Sequence, residues 1–117
     1  MAFTQKRVAG PVTLANIATM ETAPGAASYA PGSGVTTIIK QIMFTNITSS
    51  TQQVSMWVFS GSGSIANSDM VFHSLDLAAY ETMLINLSLV MVDGDAIYAG
   101  AGNASSVNLT VSGIEET

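Results

Sequence analysis

The chain contains no cysteine, so neither a disulfide framework nor a thiolate metal site can be built from its 117 residues. Charge is nearly as scarce: Asp, Glu, Lys and Arg make up 9%, against roughly a quarter in an ordinary globular protein. Lys6, Arg7 and Lys40 are its only cations, too few for one copy to neutralise a run of phosphates, which excludes a nucleic-acid face. One histidine, His73, is present, and no serine sits on a Gly-x-Ser-x-Gly elbow, so the parts of a hydrolytic triad are missing. Long apolar runs are absent too. The greasiest stretch, Met83 to Val92, is broken by Asn86 and Ser88 and is too short to span a bilayer. The N-terminal Met1 to Arg7 has no apolar segment behind its cations, which predicts assembly in a cytoplasm without a secretory signal.

What fills the space is apolar and hydroxyl-bearing. Hydrophobic residues reach 48%, enough to exclude a disordered chain, and the size allows one domain with a core. The net charge of −5 comes from scattered acids. A skin this poor in charge makes oligomerisation the expected remedy for weak solubility.

The three prolines, Pro11, Pro24 and Pro31, all fall in residues 1–34. Proline cannot donate to a central ladder, so this stretch is expected as an extended N-terminal arm and lead-in loop. A short strand over 8–14 and a marginal helix over 15–21 are possible within it. From residue 35 the pattern becomes β-rich, and 35–117 is expected to form an antiparallel β-sandwich, jelly-roll-like, with seven to eight strands. Strands are predicted over 35–45, 54–59, 70–77, 82–89, 96–99 and 107–112. The first is greasy on both faces, with Ile38, Ile42 and Phe44 on one and Ile39 and Met43 on the other. The last alternates cleanly, with Val107, Leu109 and Val111 inward. Ser60 to Ser64 reads as an exposed tip, and Asp93-Gly94-Asp95 as a tight turn.

Candidate chemistry is thin. His73, with Asp69 and Asp76 nearby in sequence, reads better as a surface residue than as a catalyst. Asp93 and Asp95 fall short of the six to eight oxygens that calcium requires. Asn-x-Ser/Thr triplets begin at Asn46, Asn86, Asn103 and Asn108, and a Ser- and Thr-rich chain produces them by chance. The methionines on predicted strands (Met43, Met56, Met70, Met83 and Met91) read first as gap-fillers in the core and second as an adaptable contact surface. No metal or cofactor is expected, and no enzyme.

Six blocks together suggest a family. They are Tyr29-Ala30-Pro31-Gly32, Ile38 to Ile42, Thr45 to Ser49, Leu75 to Thr82, Val92 to Ala99, and Ala104 to Gly113. Across residues 28 to 114 the chain resembles the small β-sandwich virion proteins of tailed bacteriophages. The blocks are turn and strand signatures, not active-site motifs, and the arm lies outside the match. The resemblance implies a non-enzymatic virion protein, either a capsid decoration or cementing subunit or one associated with the tail. Its implied partners are further copies of itself, a trimer being favoured, and the major capsid protein or other virion proteins. Phe3, Tyr29, Trp57 and Phe59 are the candidate interface anchors, because aromatic residues dominate interface hot spots. The alternative is a glycan-binding module on a tail or fibre, with Tyr80, Tyr98, Asn103 and Asp95 composing the sugar site.

Overall fold

The structure is a computed structural model that describes residues 3–16, 28–60 and 70–117. The described part is all-β: β1 (Phe3–Thr13), β2 (Ala15–Asn16), β3 (Thr36–Asn46), β4 (Gln52–Ser60), β5 (Met70–Leu77), β6 (Thr82–Met91), β7 (Asp95–Ala101) and β8 (Val107–Glu116). They form two four-stranded sheets, one ordered β1-β8-β3-β6 and the other β2-β7-β4-β5. The pairing is nested. β4 pairs with β5, β3 with β6, β2 with β7 and β1 with β8, as if one long hairpin had been rolled up. Every pair is antiparallel except the two-residue contact of β2 with β7.

Alternation builds the core between the sheets. Val107, Leu109 and Val111 of β8 are fully buried, as their period-two spacing predicts. They meet Ile39, Ile42 and Phe44 of β3 and Val54, Met56, Ile97 and Ala99 of the facing sheet. Each large aliphatic side chain removed from water in this way stabilises the fold by about 1.5–3 kcal/mol. Phe44 and Phe72 cross between the sheets edge to face, with ring centroids 5.8 Å apart.

β3 departs from the expected parity. Its register slips between Ile39 and Gln41 against both neighbours, leaving Lys40 as an extra residue relative to β8. Lys40 and Gln41 therefore both face outward, bonding Ser88 and Asn86 across the strand. Ile39, Ile42 and Phe44 then share the buried face. β3 is thus apolar on both faces as expected, but the bulge changes the partition: Ile39, Ile42 and Phe44 face the core, while Ile38 and Met43 face outward. At the same level Leu87 of β6 supplies the extra inward side chain that packs against the core.

The stretch expected as an arm belongs to this sandwich where it is described. Phe3–Thr13 is extended, but it pairs along β8 of its own chain as an edge strand. Pro11 lies there, consistent with the confinement of proline to sheet edges, and two register shifts interrupt the strand around Val8 and Gly10-Pro11. Leu14 carries the chain from one sheet to the other, its side chain buried and its amide donating to the Val107 carbonyl. Ala15–Asn16 is strand instead of the start of a helix, and the rest of that expected helix lies outside the described residues. Most of the glycine-serine tip at 60–64 lies outside them too.

Candidate functional site

The four candidate anchors occupy different environments. Phe3, at the start of an edge strand, is 64% exposed. Trp57 and Phe59 are 2% and 9% exposed and lie within the protomer. They project from the face of their sheet turned away from the main core and pack with Met70 and Tyr98. Phe59 meets Tyr98 edge to face at 6.3 Å between centroids. Their rings are therefore occupied in holding the protomer together.

Tyr29 is a bridge between the sheets. Its backbone pairs with Ile97 of β7, and its hydroxyl lies 2.6 Å from that of buried Thr37 on β3. The same hydroxyl donates to Glu115 of β8 at 3.3 Å.

Tyr80, Tyr98, Asn103 and Asp95 do not come together. Tyr80 and Asn103 belong to loops at one end of the sandwich, and Asp95 begins β7 at the other. The seven residues of β7 separate these ends by about 20 Å. Asp95 is engaged in its own turn, accepting from the Val92 amide at 2.9 Å, with Gly94 at φ 100°. That is the tight turn its Asp-Gly-Asp sequence predicts. Asn103 donates to Gln52 at 3.0 Å, within the packing of its own end.

His73 is exposed on β5, with its Nδ1 2.9 Å from the neighbouring Ser74 hydroxyl. Ser74 has φ 56° because it forms a bulge opposite Ser55, whose buried hydroxyl accepts the Ser74 amide at 2.9 Å. The strain belongs to the bulge. Asp76 points to Gln53, and Asp69 lies outside the described residues. Among the described residues no cluster of three His, Asp or Glu side chains is placed to hold a metal ion.

Asn46 is the most heavily bonded polar residue of this set. Fully buried, it donates from Nδ2 to the carbonyls of Ser50, Leu77 and Ala78 at 2.8, 3.2 and 3.0 Å. Its Oδ1 accepts the amide and hydroxyl of Thr48 at 2.9 and 2.8 Å. One side chain thus staples the β3–β4 loop to the β5–β6 loop. The nitrogen that a glycan would need is consumed here, so the triplet at Asn46 is structural. Sequence gave one usable signal for this role: Asn and Thr two apart at a strand end, the pattern of an Asx-turn.

The outer face of the β1-β8-β3-β6 sheet is the broadest feature left unassigned by sequence. Register places Ile114, Ile38 and Val90 in one row across it, and Thr110, Met43 and Leu84 in another. Between them runs a polar row of Arg7, Ser112, Gln41 and Asn86. A further polar row joins Thr13 to Asn108 and Thr45 to Thr82 through hydroxyl and amide hydrogen bonds. Beside the bulge lies a shallow depression of about 510 Å³ lined by Gln5, Lys40, Ser112, Gly113 and Ile114. Met43 faces outward here, half-buried, whereas Met56 and Met91 are in the core. The core reading of the methionines holds for Met56 and Met91, and Met43 lies on the outer face.

No protein-family model, curated protein or solved structure matches this chain.

Proposed function

We propose that the protein is a non-enzymatic virion subunit of a tailed bacteriophage, acting as a homo-oligomer that decorates or cements the capsid by adhesion. The observation that carries this reading is the outer face of the β1-β8-β3-β6 sheet. It is broad, built of alternating apolar and largely uncharged polar rows, with Arg7 and Lys40 among its few charges. Such a face suits repeated contact with a lattice, because little charge must be desolvated and many modest contacts add through multivalency. The nested strand order supports the finer reading of a jelly roll, an architecture that recurs in viral capsid and lectin domains. Exposed Phe3, at the edge of the same sheet, remains the aromatic anchor of the four candidates best able to reach a partner.

The test is the protein's copy number and position in purified particles. Quantitative mass spectrometry and cryo-electron microscopy of the encoding phage should find hundreds of copies on the capsid surface. A few copies at the tail would move it to the tail-associated class. Absence from washed particles would defeat the proposal. The glycan-binding alternative draws no support from the scattered positions of Tyr80, Tyr98, Asn103 and Asp95.

A further inference from the structure

Each sandwich sheet has two edge strands, and three of the four edges are blunted. β1 carries two register shifts and a proline, and β2 is two residues long. β5 carries two register shifts and the polar, exposed His73 and Asp76. These are the devices by which sheet edges avoid pairing with other chains. β6 carries a single irregularity, where Leu87 and Ser88 oppose Lys40 of β3. It runs ten residues, Thr82–Met91, without proline, glycine or charge. Its inward and outward side chains alternate without interruption up to Val90, since its irregularity against β3 is absorbed at Lys40 and Leu87. Among the described residues no strand pairs with its outer edge.

The sequence of this strand also reads nearly the same in both directions about Leu87. Asn86 mirrors Ser88, Ile85 mirrors Leu89, Leu84 mirrors Val90, and Met83 mirrors Met91. An antiparallel partner with the same sequence, centred on Leu87, therefore sets polar beside polar and apolar beside apolar at each of these positions. Such self-complementarity is what an isologous two-fold contact requires. The absence of charge means that no like-charge pair opposes it.

We propose that β6 pairs with β6 of a second copy of this chain about a two-fold axis at Leu87, joining the two four-stranded sheets into one of eight strands. The proposal deepens the oligomeric part of the virion reading and replaces the trimer with a two-fold pair as the building unit. A ten-residue ribbon is about 33 Å long and contributes up to about ten inter-strand hydrogen bonds. Its buried area, roughly 400 Å² per partner, falls below the roughly 1,000 Å² total of a stable interface, so the pair is a weak one that dissociates on dilution.

Leu84 and Val90 are the residues with which to test it. They are 54% and 60% exposed and face outward, so charge there leaves the core of the protomer intact. Within one chain they are about 20 Å apart, but across the two-fold each faces the other. In sedimentation equilibrium the purified full chain should move from 12.1 kDa to twice that mass with rising concentration. The double variant L84E/V90E sets glutamate against glutamate at two symmetric places and should raise the dissociation constant about a hundredfold or more. The double variant L84E/V90K sets opposite charges together at both places and should restore dimerisation, with circular dichroism confirming that both variants fold. A wild-type chain that stays monomeric or forms a trimer overturns the proposal, as does equal behaviour of the two variants. Because the experiment uses isolated protein, its failure would leave the virion reading standing, which is tested on particles.

Discussion

The hydroxyl of Tyr29 lies 2.6 Å from that of Thr37 and ties one sheet of the sandwich to the other. The tyrosine's backbone belongs to the β7 side and the threonine to β3, so the contact pins the two layers where the core ends. Tyr29→Phe removes the hydroxyl, leaves buried Thr37 without this partner, and should cost about 1–2 kcal/mol. Urea denaturation reads that as a lower midpoint at unchanged slope. An unchanged midpoint would show that the contact contributes nothing.

Asn46 serves the opposite end of the sandwich. Asn46→Ala removes the donor shared by the carbonyls of Ser50, Leu77 and Ala78, of which Ser50 keeps the Thr48 hydroxyl and Ala78 the Glu81 amide, and should cost about 2 kcal/mol or more. Asn46→Asp keeps the shape but aims a carboxylate at those same three oxygens, so it should be no milder than alanine. Thermal unfolding of the two variants beside wild type checks both expectations. An aspartate variant as stable as wild type would contradict the donor role.

Gly113 and Gly10 mark where backbones approach too closely for a side chain. A Cβ on Gly113 would sit 2.3 Å from the Ile38 carbonyl oxygen, and one on Gly10 would sit 2.1 Å from that of Leu109. Gly10 also holds φ 82°, which an L-residue resists. Either glycine replaced by alanine should lower stability by more than about 2 kcal/mol, seen as a fall in Tm. Gly102→Ala, whose nearest neighbour stands at 3.5 Å, is the control and should fall far less.

Trp57 and Phe3 separate folding from adhesion. Trp57→Ala empties a buried site and should cost about 3–5 kcal/mol. Phe3→Ala, at an exposed edge, should stay within about 0.5 kcal/mol of wild type. Under the virion proposal Phe3→Ala nonetheless weakens attachment to particles, measured by co-sedimentation. Equal stability of the two variants would remove the distinction.

The sequence was legible where alternation was regular and silent where register slipped. The inward positions of β8, Val107, Leu109 and Val111, are legible because they keep strict period two, although the strand runs on beyond the expected Ser112 to Glu116. β3 is apolar on both sides as its sequence suggests, but Ile38 and Ile39 exchange faces, since nothing in Ile39-Lys40-Gln41 announces that two consecutive side chains face the same way. The N-terminal strand shows in sequence only as a short stretch over 8–14, because Gly10-Pro11 looks like linker and pairing to β8 at the far end of the chain leaves no local trace. Trp57 and Phe59 showed in sequence that they share a face, but not that Met70 and Tyr98 cover it. The staple at Asn46 depends on carbonyls thirty residues away, beyond the reach of any local pattern.

Heat stability of particles with and without the protein tests the adhesive role most directly. Particles of the encoding phage assembled without it should release their DNA at a lower temperature than complete ones, and adding the purified protein back should restore the difference. Particles that withstand heat equally well without it, and that do not bind the added protein, would contradict the account.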